Sequence, residues 1–236
     1  MIELNADIGE GCDEAGLLPY LDRVSIACGG HAGDMASMTA ALRLAAEHEI
    51  LVGAHPSFPD RAHFGRRALA ASEREIAIWV TQQTEVLAEQ AVRLGLRLAH
   101  VKPHGALYNV AARDADVARA IAEAVAAFDP KLALIGLSGS FLVEAGRAAG
   151  LIVLNEVFAD RRYQAGGALV SRETEGALIV DPDAAAMQAR AFARGEPVVS
   201  RNGVGLRIAA DTICLHSDTP NAINIARAVH AALNRG

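Results

Sequence analysis

The feature that most constrains the fold is a recurring unit: a short apolar run, a cluster of polar residues, then a stretch of helical periodicity. The fullest example is His100-Val101-Lys102-Pro103-His104-Gly105-Ala106-Leu107-Tyr108-Asn109, fed by the apolar run at residues 96–101. A β/α unit presents chemistry in this way at the carboxyl end of a strand. Lys102 and His104 stand two apart, so a continuing strand points both side chains to one face. Pro103 supplies no ladder donor, which suits a strand end. Gly105 allows a turn or a close approach by a ligand.

The same unit repeats in order. Residues 2–6 read as a first strand, followed by a loop holding Asp7, Gly9, Glu10 and Gly11. Residues 21–28 form a second strand, broken by Gly29-Gly30-His31-Ala32-Gly33. Asp34 then caps a helix with Met35, Met38, Ala41, Leu42 and Ala45 on its apolar face. A third strand at 50–54 ends in His55-Pro56 and a polar loop through Asp60 and Phe64-Gly65-Arg66-Arg67. Ser72 and Glu75 form a capping box before a long amphipathic helix that Gly95 stops. After the fourth strand Asp114 caps another helix, ended by Asp129-Pro130. A fifth strand at 131–136 is followed by a small-residue helix over about 138–149. A sixth strand at 151–155 leads into Glu156, Phe158, Asp160, Arg161 and Tyr163. Periodicity weakens at 164–180, which predicts an irregular insertion over the barrel mouth. Asp181-Pro182 opens a helix. Residues 198–208, centred on Asn202-Gly203, resemble a β-hairpin. A seventh strand at 212–215 ends in His216-Ser217-Asp218, and Thr219-Pro220 starts a last helix with Ile223, Ala226, Val229 and Leu233 on its core face.

Seven strands interleaved with helices predict an α/β fold, a seven-stranded parallel β/α barrel forming one domain over residues 1–236. A doubly wound open sheet is the competing arrangement, because periodicity does not report closure. Hydrophobic residues make up 52% of the chain and aromatics only 4%, which suits long buried parallel strands built from Ala, Leu, Val and Ile. In either fold ligands meet the carboxyl ends of the strands. The residues to weigh are therefore Asp7, Glu10, His31, His55, Lys102, His104, Glu156, Asp160, Arg161, His216 and Asp218.

Together these groups offer general acids, general bases and a fixed cation. Asp34 and Asp114 read as helix caps only. His48, His63 and His230 lie in a helix end, a loop and a helix, and carry no chemical signal. Asp7 with His31, His55, His104 or His216 would suit a divalent metal, with Asp7, His31 and His55 the set expected if one is bound, although no His-Glu-x-x-His spacing marks it. Arg66-Arg67 would suit a phosphate or carboxylate, or stand as an exposed basic pair. There is no Walker A sequence, no Gly-x-Gly-x-x-Gly after a strand and no nucleophile elbow.

The formal charge is −6, which argues against nucleic acid as a partner and gives no reason to invoke an anionic membrane. No apolar run reaches membrane-spanning length. Met1-Ile2-Glu3-Leu4-Asn5 lacks a basic region and a signal core, so the expected compartment is the cytoplasm. Cys12, Cys28 and Cys214 are odd in number and widely spaced, and read as reduced thiols.

Seven blocks stand in an order that resembles a known family. They are residues 5–10, 26–34, 53–56, 64–67, 101–109, 156–161 and 213–216, with cores Asn5-Ala6-Asp7-Ile8-Gly9-Glu10, Gly29-Gly30-His31, His55-Pro56, Lys102-Pro103-His104-Gly105 and Glu156-Val157-Phe158. Together they resemble the LamB/YcsF family over about residues 4–218. Ala6 departs from the usual Cys, Gly30 from Phe and Ser217 from Gly. The resemblance implies a barrel related to glycoside hydrolases and deacetylases. It also implies the role of the A component of an ATP-dependent 5-oxoprolinase, which works with two further components, B and C. Such an enzyme converts 5-oxo-L-proline, ATP and water to L-glutamate, ADP and phosphate. For that reaction, residue type and position assign Asp7 or Glu10 as the base, His104 as the acid/base and Lys102 as the charge stabiliser. His31, His55, Arg66, Arg67, Tyr108, Asn109, Glu156, Asp160, Arg161 and His216 would bind the lactam. The alternative is a metal-dependent hydrolase or deacetylase acting alone on an N-acyl or carbohydrate substrate.

Overall fold

The computed structural model describes residues 2–11 and 14–233. Cys12 therefore lies outside the described residues. The elements run β1 (Glu3–Ile8), β2 (Arg23–Ala27), α1 (Met35–Glu47), β3 (Leu51–His55), α2 (Glu73–Arg93), β4 (His100–Val101), α3 (Gly105–Ala111), α4 (Ala115–Phe128), β5 (Ala133–Leu137) and α5 (Phe141–Ala148). They continue with β6 (Ile152–Phe158), α6 (Pro182–Ala193), β7 (Val198–Val199), β8 (Gly205–Leu206), β9 (Thr212–Leu215) and α7 (Ala222–Leu233). Seven strands are mutually parallel and close into a barrel in the order β1-β2-β3-β4-β5-β6-β9. β7 and β8 form a separate antiparallel pair across the Asn202-Gly203 turn. The doubly wound alternative is thereby excluded, since β9 pairs with both β6 and β1 and so closes the ring of seven strands with no free edge.

Local sequence explains the helices. Ser72 accepts from the Glu75 amide and Glu75 reaches back to Ser72, which satisfies two orphan donors at the start of α2. Ile76, Val80, Leu87 and Ala91 bury one stripe of α2, and Gly95 ends it in the left-handed region at φ 75°. Asp34, Asp114 and Asp181 cap α1, α4 and α6 as their positions predict. Two expected core residues face outward instead: Met35 and Ile223 are exposed, and Ile225 takes the inner place on α7. At Gly30, where the family resemblance would place Phe, a side chain would overlap Gln83 and Ser57. Those two residues fill the space and hydrogen-bond side chain to backbone.

Strand boundaries differ from the apolar runs. β1 continues through Asp7, and β6 continues through Glu156 to Phe158, so both acids lie within strands rather than after them. The fourth run, 96–101, supplies only two strand residues. Parallel neighbours on both sides carry each ladder as far as the register allows, whatever the polarity of the residue.

One row across the barrel interior sets its packing. Ser25 pairs with Gly53, and Gly53 pairs with His100. Gly53 leaves the space that the His100 ring occupies. His100 is fully buried, with Nδ1 3.3 Å from Arg23 Nη1 and Nε2 3.2 Å from Ser25 Oγ. A guanidinium only donates, so Nδ1 accepts and the ring is neutral. Burial, then the Arg23 charge, holds its pKa well below the ordinary value. The unfolded chain thus takes up a proton near pH 6.5 that the folded chain refuses, and stability falls as pH drops through that point. His100→Gln is expected to reduce the stability lost between about pH 7.5 and about pH 5.5. Urea unfolding at the two values measures this, and an unchanged slope would refute the assignment.

Candidate functional site

The carboxyl ends of the barrel strands open into a cavity of about 1210 Å³. Asp7, Glu10, His55, Lys102, His104, Tyr108, Phe158, Arg161 and His216 line it. The segment 164–173 forms one wall, which places the irregular insertion beside the mouth. The insertion is tied down by two isolated bridges, Arg161 to Leu178 and Tyr163 to Leu169.

At the floor stands the Lys102 ammonium, on a side chain only 3% exposed. Its Nζ lies 2.7 Å from Glu156 Oε1, 3.0 Å from Asp7 Oδ1, 3.2 Å from Asn5 Oδ1 and 3.3 Å from Cys214 Sγ. Burial alone would lower the lysine pKa; the Asp7 carboxylate first, then Glu156, raises it well above the ordinary value. Burial likewise pushes Asp7 up, but His55 and Lys102 outweigh it and keep the carboxyl ionised. Tyr108 donates its hydroxyl to Glu156 at 2.7 Å, so Glu156 is held from two sides. Cys214 is buried and its thiol pKa is raised by burial, which makes it a neutral neighbour of the ammonium.

Beside this ion cluster sits a histidine group. His31 and His104 stack with centroids 3.6 Å apart, and His55 meets both edge-on. Glu10 Oε1 is 2.7 Å from His31 Nε2 and 3.2 Å from His104 Nδ1. Burial pushes the His31 pKa down to about 4, and it lowers that of His104. Phe64 adopts a left-handed backbone at φ 55° and presents its carbonyl to His104 Nε2 at 3.0 Å. Glu10, His31, His55 and His104 offer ligand atoms that all lie within 4.8 Å of one another. This group differs from the expected set of Asp7, His31 and His55: Glu10 and the alternative ligand His104 join His31 and His55, and Asp7 stands outside it.

A third arrangement lies at the rim. Asp160 is buried and its oxygens sit 2.9 and 3.0 Å from His216 Nδ1, with Thr219 donating to it as well. The carboxylate fixes the tautomer of His216, which stacks on Phe158 at 5.3 Å. Arg161 is buried and gives its Nη2 to the Val170 carbonyl, while its Nε has no partner.

The residues singled out from the sequence fall into three groups. Asp7, Glu10, His55, Lys102, His104, Tyr108, Asn109, Arg161, His216 and Arg66 line the cavity. His31, Glu156 and Asp160 lie behind that wall, each bonded to a lining residue or to Lys102. Arg67 does not join them: it turns to His63 Nε2 at 2.9 Å on the exposed loop. Arg66 is partly neutralised by Asp218 at 3.0 Å, which also pairs with Arg172. Sequence reasoning missed Asn5, Arg172 and Thr219. The signal for Asn5 was its place two residues before Asp7 on one strand, which puts both on the same face.

The family model for LamB/YcsF matches residues 2–236. A protein from Chloroflexus aggregans, named as the A component of 5-oxoprolinase, is 50% identical over 241 aligned residues, covering 100% of this chain and 94% of the relative. One of the same name from Bordetella pertussis is 45% identical, covering 99% and 95%. The crystal structure of a lactam utilization protein from Thermus thermophilus superposes with a TM-score of 0.92 at 43% identity, covering 99% of this chain and 96% of that one. A putative cellobiose-phosphate cleavage protein from Enterococcus faecalis shares the fold, with a TM-score of 0.56 at 12% identity, covering 99% of this chain and 94% of that one. The match along the whole length, joined to a closed seven-stranded barrel with its polar groups gathered at one mouth, places this chain in the LamB/YcsF family.

Proposed function

We propose that this chain is the A component of an ATP-dependent 5-oxoprolinase and that the whole chain acts as one barrel unit within a cytoplasmic assembly with the B and C components. The full-length identity with relatives of that name carries the reading. The chemistry of the mouth agrees with it. Opening a five-membered lactam to glutamate breaks a stable amide, and phosphorylation of the lactam oxygen at the expense of ATP makes the carbonyl carbon electrophilic. Attack by water then builds charge on a tetrahedral carbon, which a desolvated ammonium is placed to stabilise, and Lys102 has this position; expulsion of the ring nitrogen leaves a glutamyl acyl phosphate, which a second water hydrolyses to glutamate and phosphate. Asp7, ionised and lining the cavity beside Lys102, orients the water. The leaving nitrogen needs a proton. Both nitrogens of His104 are engaged, with Phe64 on one side and Glu10 and His55 on the other. His216, held by Asp160 and lining the same cavity, takes the proton-transfer role instead. The partly unpaired Arg161 and the rim Arg66 suit the substrate carboxylate. ATP is consumed on a partner or at the shared face, with the partner docking over the wall at 164–173.

Reconstitution tests this. The chain mixed with the B and C components is expected to form glutamate from 5-oxoproline with matching ATP consumption, and the chain alone is expected to be inactive or nearly so. Full ATP-coupled ring opening by the chain alone would refute the partner requirement. Absence of glutamate in the complete mixture would refute the substrate.

A further inference from the structure

His55, His104 and Glu10 carry a conflict that hydrogen bonding alone does not resolve. His55 Nδ1 lies 2.7 Å from the backbone oxygen of Lys102, and His104 Nε2 lies 3.0 Å from that of Phe64. A carbonyl oxygen only accepts, so each ring spends its proton on it. The other two nitrogens, His55 Nε2 and His104 Nδ1, are therefore lone pairs in the neutral rings. They face each other at 2.9 Å. Glu10 Oε1, a third acceptor, stands 3.2 Å from His104 Nδ1 and 3.7 Å from His55 Nε2. A fourth, Asp7 Oδ2, is 3.4 Å from His55 Nε2. Lone pairs converge on one point with no donor among them.

His31 behaves differently. Its Nδ1 is buried without a partner. A proton there would be stranded, so it belongs on Nε2, which donates to Glu10 at 2.7 Å. His31 is thus a carboxylate-orienting group and has no lone pair to offer at the convergence point.

Charge points the same way. Glu156 is buried and Asp7 and Glu10 are partly buried, with side chains 0%, 14% and 12% exposed, and Lys102 is the ammonium among them. With the imidazole rings neutral, carboxylates outnumber the ammonium at this point. Bonds of roughly 2.0–2.1 Å at tetrahedral angles separate ligand atoms by about 3.4 Å. The three facing separations of 2.9, 3.2 and 3.7 Å bracket that value.

We propose that His55 Nε2, His104 Nδ1 and Glu10 Oε1 bind one divalent transition metal of the zinc type, with the fourth corner open toward Asp7 and the cavity. Two imidazoles and a carboxylate with one open corner are the donor set of such a site. The backbone carbonyls of Lys102 and Phe64, with His31 behind Glu10, are the outer groups that fix ligand orientation. The competing occupant is a proton shared by the two rings, which face each other at 2.9 Å. This proposal does not depend on the lactam reading.

The test uses the full chain without partners or nucleotide. The apoprotein is titrated with Zn²⁺ by calorimetry, and with Co²⁺ followed by its visible ligand-field bands. The expected result is one ion per chain and a Co²⁺ spectrum of low coordination number. His104→Ala and the near-isosteric Glu10→Gln should weaken binding more than about 100-fold, whereas His31→Gln should weaken it only about 10–100-fold. Circular dichroism checks that each variant is folded, and Glu10→Gln preserves side-chain shape if His104→Ala is not. No saturable binding, or binding that Glu10→Gln and His104→Ala leave unchanged, would overturn the proposal. A loss in His31→Gln as large as in Glu10→Gln would overturn the ligand assignment. Failure here would leave the 5-oxoprolinase reading untouched, since that is decided by glutamate formation.

Discussion

Lys102→Met is expected to lower turnover of the assembled enzyme by roughly a hundredfold or more and to cost about 3–5 kcal/mol of stability. The two effects have one origin. Nζ sits between Asp7 and Glu156, with side-chain exposures of 14% and 0% for the acids. Removing the ammonium leaves the buried Glu156 and the partly buried Asp7 without the cation they share, and the cost is the desolvation of charges no longer paired. The same removal takes away the group placed to stabilise charge on the opening lactam. Adding Glu156→Gln separates the roles. Gln still accepts from Tyr108, which donates to this position at 2.7 Å, but no longer carries a buried charge. The double variant should regain much of the lost stability while the rate stays down. Urea unfolding and glutamate formation measure the two quantities. A double variant that recovers both would show that Lys102 matters only for folding, and an unchanged rate in Lys102→Met would rule out its role in charge stabilisation.

Gly53→Ala should be among the most damaging single-methyl additions in the barrel, costing about 3 kcal/mol or more. A Cβ at Gly53 would overlap Cδ2, Nε2 and Cε1 of the His100 ring. The ring has no easy retreat, because it is fully buried and bonded to Arg23 and Ser25 on neighbouring β2. Moving it would leave a buried guanidinium nitrogen short of an acceptor. The clash involves space rather than backbone conformation, so shrinking the partner should relieve it. In Gly53→Ala/His100→Ala the total loss should be smaller than the sum of the single losses. A double-mutant cycle by urea unfolding gives the coupling, and strict additivity would show that the overlap is relieved elsewhere.

Much of this was visible in local sequence. α2 follows from Ser72, Glu75, one apolar stripe and Gly95, because each signal acts within a turn or two of chain. The seven barrel strands follow from short apolar runs, since strands covered on both faces need little else. The residues after those runs were the right ones to weigh, because the carboxyl end of a parallel strand is where the chain leaves the core. Local signals fared worse at boundaries. Asp7 and Glu156 read as loop acids, yet both lie in strands facing Lys102, a partner that neither segment could reveal.

The sequence by itself thus determined the elements, their order, and a short register of polar groups able to do chemistry. Tertiary structure alone decided closure and partnership. Asn5 reaches Thr212 across 207 residues to seal β1 against β9. Arg66 enters the cavity wall while its neighbour Arg67 turns to His63 outside it. Propensity and periodicity act over a few residues, whereas charge pairing and hydrogen-bond satisfaction depend on distances that exist only once the barrel has closed. The donor roles of His31, His55 and His104 belong to the second kind: each is fixed by what its other ring nitrogen touches, whether a carbonyl from a distant loop or nothing at all.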